Sequence, residues 1–232
     1  MIVTDRFVFL HLHKSGGSFV NRFLMECVPG SHPVGYHLPR DEIPAAARHL
    51  PILGTVRNPW DYYVSWYSFQ AAMPAPNALF QVASEERRLD FNGTVRNLMR
   101  LGEDVSLLSA WVDRLPSERP NRGINLSKAC VAPLAKSGIG FYTFLYQRMY
   151  GDRSNTTLLD MAALRQGLLE YLPRTGIPLS SDMEDWLRDR PAVNTSVHAR
   201  YADLYDDETR ALVAEKDAGI IRRHDFGFQA QH

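Results

Sequence analysis

A short stretch near the N-terminus constrains the fold most. Residues 7–13, FVFLHLH, are rich in apolar and aromatic side chains, which is typical of a buried strand. The run ends at residues 14–17, KSGG, and a helix is predicted over 18–27, with Ser18 as its N-cap. A strand, a glycine turn and a helix N-terminus together make an anion site, to which Lys14 adds a full positive charge.

The order of residues in this turn separates it from an ATP-binding loop. A Walker A loop, G-x-x-x-x-G-K-[ST], places its lysine after the glycines, whereas Lys14 precedes Gly16 and Gly17. Glycine-rich turns are also common away from ligands. This stretch alone therefore predicts either a phosphate loop or an ordinary tight turn.

A second strand and turn follow downstream. Residues 51–56, PILGTV, predict a buried strand that ends at Arg57, and Asn58 suits the N-cap of the next helix. Arg57 and Ser65, on the second turn of that helix, suit a phosphate monoester because both side chains donate to its several oxygens. In the alternative reading, Arg57 pairs with Asp61 and Ser65 is an ordinary helix residue.

Composition limits the classes of function. The 26 Lys and Arg balance the 26 Asp and Glu, so no global basic field draws the chain to nucleic acid or an anionic membrane. No stretch approaches the roughly 18 apolar residues of a membrane span, and the first residues do not read as a signal peptide. Cys27 and Cys130 lie outside any C-x-x-C pair, so we expect reduced thiols in a cytoplasmic protein.

The two turns together resemble those of the PAPS-dependent sulfotransferases, where PAPS is 3′-phosphoadenosine-5′-phosphosulfate. Residues 11–18, HLHKSGGS, are similar to that family's H-x-P-K-T-G-G-T loop, which binds the 5′-phosphosulfate. Residues 57–67 are similar to its R-[DN]-P-x-x-R-x-x-S-x-Y element, which binds the 3′-phosphate. A weaker third match joins 194–196, 201–205 and 225–228 to the ending of many bacterial and carbohydrate-type members.

Four positions depart from the family pattern. Ser15 and Ser18 stand in place of threonines and keep the hydroxyls, and His13 stands where proline is common. Tyr62 replaces a frequent arginine, which leaves the other phosphate-binding side chains in place.

The resemblance implies an α/β fold, a P-loop-like parallel sheet flanked by helices with a mostly helical middle insertion. We expect one domain over 1–232, with 75–137 as an acceptor-binding lobe or lid; helices are predicted there at 91–100 and 105–115, and a closing helix at 206–222. The implied reaction moves a sulfuryl group from PAPS to an acceptor hydroxyl, on a carbohydrate or glycolipid-like molecule, and releases adenosine 3′,5′-bisphosphate. The acceptor is a small molecule or glycan, and no metal is required.

The resemblance also assigns the site residues. Lys14 would contact the leaving oxygen, the backbone N–H groups and the hydroxyl of Ser18 would hold the 5′-phosphate, and Arg57 with Ser65 would hold the 3′-phosphate. The implied cofactor-binding residues are Lys14, Ser15, Gly16, Gly17, Ser18, Arg57 and Ser65, and the implied catalytic residues are Lys14, His37 and Ser18.

An acceptor hydroxyl needs a base, and histidine is the usual choice near neutral pH. His37 ranks first because it lies in a Gly-Tyr-His loop between the two phosphate motifs, in a setting that resembles a histidine of the heparan and uronyl 2-O-sulfotransferases. His13 could line the site, and His11 could pack behind the loop. Other members of the family use a glutamate.

Two other readings stay open. A nucleotide-binding kinase or NTPase would need a lysine after the glycines and a magnesium-binding carboxylate at a strand end. A non-catalytic homologue would keep the nucleotide loops, bind adenosine 3′,5′-bisphosphate and have lost turnover. The sequence does not decide which aromatic holds adenine among Trp60, Trp66 and Trp111.

Overall fold

The sheet that the sequence predicts is present in the computed structural model, which describes residues 1–151, 154–191 and 201–228. Contacts divide the chain into two compact units. The first unit comprises Met1–Arg57 and Tyr146–Thr195, and the second comprises Asn58–Leu145 and Ser196–His232. The expectation of one domain over the whole chain stays a prediction.

All five strands of the described residues lie in the first unit and form one mixed sheet. The strands are β1 (Ile2–Val3), β2 (Val8–Leu10), β3 (His32–Pro33), β4 (Ile52–Val56) and β5 (Thr156–Asp160), in the order β3-β1-β2-β4-β5. Strands β2, β4 and β5 are parallel, while β1 is antiparallel to both β2 and β3. The carboxyl ends of β2 and β4 therefore lie at the same edge of the sheet.

Helices make up most of the remaining described chain. In chain order they are α1 (Gly17–Cys27), α2 (Pro59–Ala72), α3 (Ala78–Ala83), α4 (Phe91–Arg100), α5 (Val105–Asp113), α6 (Lys128–Val131), α7 (Phe141–Tyr150), α8 (Leu164–Arg174), α9 (Ser181–Asp189), α10 (Asp207–Lys216) and α11 (Ala218–His224). Short 3₁₀ turns lie at Arg40–Glu42, Ala45–Ala47, Ala132–Leu134, Met161–Ala163 and Tyr201–Asp203. Helices α3 to α6 lie within the middle stretch 75–137, where the sequence predicts a helical insertion.

The core of the first unit joins the sheet to α1, α8 and α9. Its fully buried members include Phe7, Phe9 and Leu53 from the strand segments, Phe23 from α1 and Leu168 from α8. The aromatic run of the sequence is thus buried, and it anchors the strand that leads into the glycine turn. Truncating one of these aromatics to alanine costs about 3–5 kcal/mol in typical cores.

The second unit is organised around α2 and a buried carboxylate. Tyr62 of α2 stacks on Tyr142, with ring centroids 4.0 Å apart. Asp217 is fully buried and accepts hydrogen bonds from the Tyr63 hydroxyl (2.8 Å) and from the Thr143 hydroxyl (2.6 Å). The predicted closing helix is wrong as one element, because the chain breaks at Asp217 into α10 and α11.

Candidate active site

The turn between β2 and α1 has the backbone of an anion loop. Lys14 has φ 57° and Gly16 has φ 81°, so both lie in the left-handed region. Gly16 is also packed closely, since a Cβ there would lie 2.9 Å from Leu164 Cδ2 and 3.1 Å from Met161 Cγ. Only glycine meets both the conformational and the steric requirement without strain.

Gly16, rather than Ser18, is the N-cap of α1. The predicted cap at Ser18 is wrong because the helix begins at Gly17, which places the half-buried Ser18 inside the first turn. Glycine offers no side-chain acceptor to the N–H groups of that turn. A bound anion can supply this acceptor and gains from the partial positive charge of the helix end.

His11 lies directly behind this loop. Its ring packs on Gly17 so closely that any Cβ there would collide with it. The Asn21 side-chain amide donates to His11 Nδ1 at 3.1 Å, and His11 is buried. Burial, followed by the neighbouring His37, lowers the pKa of His11 well below its usual range. The imidazole is therefore neutral at pH 7 and supports the loop.

His37 lies beside this imidazole. Its ring centroid is 4.3 Å from that of His11 and 5.5 Å from that of His13. His37 is 4% exposed, and its Nδ1 lies 2.6 Å from the carbonyl oxygen of His11. A carbonyl only accepts, so Nδ1 carries the proton and Nε2 is the basic nitrogen. Burial lowers the pKa of His37 to about 4, partly offset by this hydrogen bond.

Two cations meet at the ends of β2 and β4. Arg57 is 8% exposed, and its guanidinium Nη1 donates to the carbonyl oxygen of Lys14 at 3.1 Å. Burial, and then the charge of Arg57, lower the pKa of Lys14 to about 8. Holding like charges close together costs free energy, and a polyanionic ligand would offset that cost.

Tyr150 holds β4, the strand that ends immediately before Arg57. Its hydroxyl donates to the Thr55 carbonyl oxygen at 2.7 Å and accepts from the Thr55 N–H at 3.0 Å. Its ring packs against Gly54, where any Cβ would collide with it. No sequence motif marks Tyr150, although a glycine inside a strand can mark such a close approach.

Ser65 belongs to the second unit, where it is buried in α2. This helix begins as predicted, with Pro59 at its first position and the Asn58 side chain accepting from the Trp60 N–H at 3.1 Å. A joint role of Ser65 and Arg57 toward one phosphate stays a prediction.

The three tryptophans considered for adenine lie in the core. Trp60, Trp66 and Trp111 are at most 5% exposed, and Trp60 Nε1 donates to the Arg210 carbonyl oxygen at 3.1 Å. Phe228, from the weak third motif, packs edge-on against Trp60, Tyr201 and Tyr205. That part of the motif has a structural role, whereas residues 194–196 lie outside the described residues.

Neither a metal-binding cluster nor a membrane-spanning helix occurs among the residues that the structure describes. No group of three or more His, Cys, Asp or Glu side chains there could hold a metal ion. No helix there has both the length and the apolar character that crossing a membrane requires.

No protein-family model matches the sequence, and no curated protein matches it. Among solved structures, the chain matches the crystal structure of mouse sulfotransferase SULT7A1 complexed with PAP, which is adenosine 3′,5′-bisphosphate. The TM-score is 0.55 and the sequence identity is 11%. The match covers 96% of this chain and 90% of that chain. The chain has a sulfotransferase fold.

This sulfotransferase fold confirms the predicted class, an α/β protein whose parallel strands are flanked by helices. It differs from the prediction at one edge, where the antiparallel strands β1 and β3 make the sheet mixed. Both escaped sequence analysis because a two-residue strand has no measurable periodicity.

Proposed function

We propose that the protein transfers a sulfuryl group from PAPS to an acceptor hydroxyl and releases adenosine 3′,5′-bisphosphate. The observation that carries the proposal is the hydrogen bond from Arg57 to the Lys14 carbonyl oxygen. It holds Arg57 against the cationic residue Lys14, in the turn that leads to the glycine-capped N-terminus of α1. The fold supports it, because mouse sulfotransferase SULT7A1 was crystallised in complex with PAP.

The residues of the loop fit the diphosphate-like end of PAPS. The helix cap at Gly16 leaves backbone donors to an anion, and the ring of His11 holds Gly17 in place from behind. Lys14 and the N–H groups of Ser15 to Ser18 would hold the 5′-phosphosulfate, with the Ser18 hydroxyl. Arg57 and Ser65 are the proposed partners of the 3′-phosphate.

The side chains divide the chemistry between them. When bound, PAPS supplies the sulfuryl group and a phosphate leaving group. The acceptor oxygen forms a bond to sulfur as the bond from sulfur to the bridging oxygen breaks, and His37 Nε2 takes the acceptor's proton. Lys14, still largely protonated at pH 7, stabilises the negative charge that remains on the bridging oxygen.

We propose a carbohydrate or glycolipid-like acceptor. Tyr36 is 43% exposed, and its ring centroid lies 4.3 Å from that of His37. An exposed aromatic ring beside the base suits stacking against the apolar face of a sugar. We also propose that residues 75–137 form the acceptor-binding lobe, that the reaction needs no metal, and that the protein is cytoplasmic.

A thermal-shift assay tests the cofactor. We expect micromolar adenosine 3′,5′-bisphosphate to raise the melting temperature without magnesium, and ATP to raise it much less. Lys14→Ala should reduce the shift. Equal stabilisation by ATP, or a strict need for magnesium, would favour a kinase or NTPase instead.

A transfer assay tests the chemistry. We expect sulfate from PAPS to appear on hydroxyl acceptors drawn from a panel of sugars and glycolipids, and Lys14→Ala to abolish it. A non-catalytic homologue would bind the nucleotide and transfer sulfate to no acceptor. Its nucleotide binding would also be unaffected by changes at His37.

A further inference from the structure

Asn21 lies on α1 one turn after Gly17, on the side of the helix that meets His11. Its side-chain amide donates to His11 Nδ1 at 3.1 Å. The same imidazole packs on Gly17, where a Cβ would collide with its Cδ2 and Nε2 atoms. Residues four apart on a helix share a face, so one ring contacts both of them. His11 therefore links Asn21 to the first turn of α1, where the anion loop ends.

The hydrogen bond from Asn21 determines which ring nitrogen of His11 carries the proton. Nδ1 accepts this bond and is therefore unprotonated. Burial lowers the pKa of His11 well below its usual range, so the ring is neutral and has a single N–H group, at Nε2. Nε2 and Cδ2 form the edge of the ring that faces Gly17. The loop thus meets an N–H and a C–H group of His11, and no lone pair.

This polarity suits an anion loop. A lone pair on Nε2 would accept from a backbone N–H group of the loop or repel a bound anion, and either effect would weaken anion binding. With the proton on Nε2, the N–H groups of the first turn of α1 stay available to an anion, since the cap at Gly16 offers them no side-chain acceptor. The tautomer of His11 therefore affects the affinity of the loop for its ligand.

The second polar atom of the Asn21 amide indicates a role other than stability. Asn21 Oδ1 is buried and has no hydrogen-bond partner among the residues that the structure describes. Leaving a buried acceptor unsatisfied costs at least as much free energy as one intramolecular hydrogen bond contributes. The side chain therefore adds little net stability, and an apolar residue of the same size would serve the fold as well.

We propose that Asn21 is a positioning residue of the phosphosulfate site, and that its bond to His11 Nδ1 holds the Nε2–H tautomer against the loop of residues 14–18. Asn21 acts through His11 and needs no contact with the nucleotide. The inference rests on the proposed function for the identity of the anion, PAPS or adenosine 3′,5′-bisphosphate. It adds to that function a residue that neither phosphate motif contains.

Asn21→Leu tests the inference, because leucine keeps the size of the side chain and removes both polar atoms. We expect the Kd for adenosine 3′,5′-bisphosphate, measured by calorimetry, to rise by about threefold to tenfold. The melting temperature should stay at the wild-type value or rise, because the unsatisfied Oδ1 is removed together with the bond. A residue that served the fold alone would not give this combination.

The tautomer is measured directly by ¹⁵N NMR of the histidine rings at pH 7, without nucleotide. The ring nitrogen shifts of His11, assigned through its backbone resonances, should report Nε2–H in the wild type. In Asn21→Leu the Nδ1–H form should appear beside it, because no donor then occupies Nδ1. This readout does not depend on nucleotide binding or on transfer.

Met25→Ala is the matched control, at an uncharged position of α1 that is 48% exposed and one turn beyond Asn21. It should leave the Kd and the tautomer unchanged. The inference alone is overturned if wild-type His11 carries its proton on Nδ1, or if Asn21→Leu keeps the wild-type tautomer or the wild-type Kd. It is also overturned if Asn21→Leu loses affinity and melting temperature together. A wild-type protein that binds no adenosine 3′,5′-bisphosphate would overturn the proposed function, and this inference with it.

Discussion

The Nδ1 nitrogen of His37 donates to the carbonyl oxygen of His11 at 2.6 Å, across 26 residues of sequence. This bond presents Nε2 as the basic nitrogen of a histidine whose lowered pKa keeps it neutral. We therefore expect His37→Ala to lower the transfer rate by about 10²–10⁴-fold, the usual contribution of a general base.

We expect the Kd of His37→Ala for adenosine 3′,5′-bisphosphate, measured by calorimetry, to stay within about twofold of the wild-type value. A twofold change in Kd corresponds to a free-energy difference of only RT ln 2. His32→Ala removes an exposed histidine of the first unit and is the matched control, with both quantities unchanged. Near-normal turnover in His37→Ala would show that another residue is the base.

The pH profile of kcat/KM should follow Lys14 and His37. His37 must be neutral to accept a proton, and its pKa of about 4 predicts loss of activity only below about pH 4. Lys14 must be protonated, and its pKa of about 8 predicts loss above about pH 8. In Lys14→Arg the alkaline limb should disappear, at a lower plateau rate, because arginine stays charged. An alkaline limb that persists in Lys14→Arg would assign it to a different group.

His37 should also make folding sensitive to acid. Its pKa is 6.5 in the unfolded reference and about 4 in the folded protein, so the unfolded chain takes up the proton first on acidification. The stabilisation is fully present above about pH 6.5 and is lost as the pH falls toward 4, up to about 3 kcal/mol. Urea unfolding of wild type and His37→Gln at pH 7 and pH 4.5 should show a smaller acid loss in the variant.

The comparison between wild type and variant is needed because Asp217 acts in the opposite direction. Burial raises the pKa of Asp217 from 3.8 to about 6, so its ionisation lowers stability as the pH rises through that range. This contribution is common to both proteins and cancels in the difference. Equal acid losses in the two proteins would mean that His37 does not titrate as its burial requires.

The parts of the fold that could be predicted from the sequence are those whose signals lie in neighbouring residues. The aromatic run at 7–13, the Asn58 cap and the helix at 91–100 each follow from neighbouring residues, and the structure has β2, α2 and α4 there. The break at Asp217 has no such signal, because it depends on Tyr63 and Thr143, which are distant in sequence.

The candidate site divides in the same way. The glycine turn and the cationic strand ends were predicted from motif order. The role of Gly17 depends on the ring of His11, and the support of Arg57 depends on Tyr150, 95 residues beyond Thr55. Contacts of this kind come from packing, for which a single sequence carries no direct signal.

The buried carboxylate of the second unit predicts a large effect at Tyr63. Its hydroxyl donates to Asp217 Oδ2 at 2.8 Å and accepts from the Tyr142 N–H at 2.9 Å. Tyr63→Phe leaves both of these buried groups with one bond fewer, so the free energy of unfolding should fall by about 1–3 kcal/mol. Tyr67→Phe, at a half-buried tyrosine of the same helix, should change it by less than about 0.5 kcal/mol. Equal effects in urea unfolding would contradict the assignment.

The effect of Tyr150 on nucleotide binding can be measured separately from its effect on the stability of the fold. Its hydroxyl holds both backbone groups of Thr55, two residues before Arg57. Tyr150→Phe should lower the free energy of unfolding by about 1–3 kcal/mol. It should also weaken binding of adenosine 3′,5′-bisphosphate by about threefold to tenfold, or about 0.6–1.4 kcal/mol, because β4 no longer fixes Arg57. At saturating PAPS the rate should stay near wild type, since Lys14 and His37 are untouched.

Tyr171→Phe is the matched control for Tyr150→Phe, since it removes a buried tyrosine hydroxyl of the same unit that has no partner among the described residues. It should leave both stability and nucleotide affinity unchanged. If Tyr150→Phe lost stability but bound the nucleotide as tightly as wild type, Tyr150 would serve the sheet alone. A loss of affinity confined to Tyr150→Phe would instead make it a positioning residue that acts through Thr55 on Arg57.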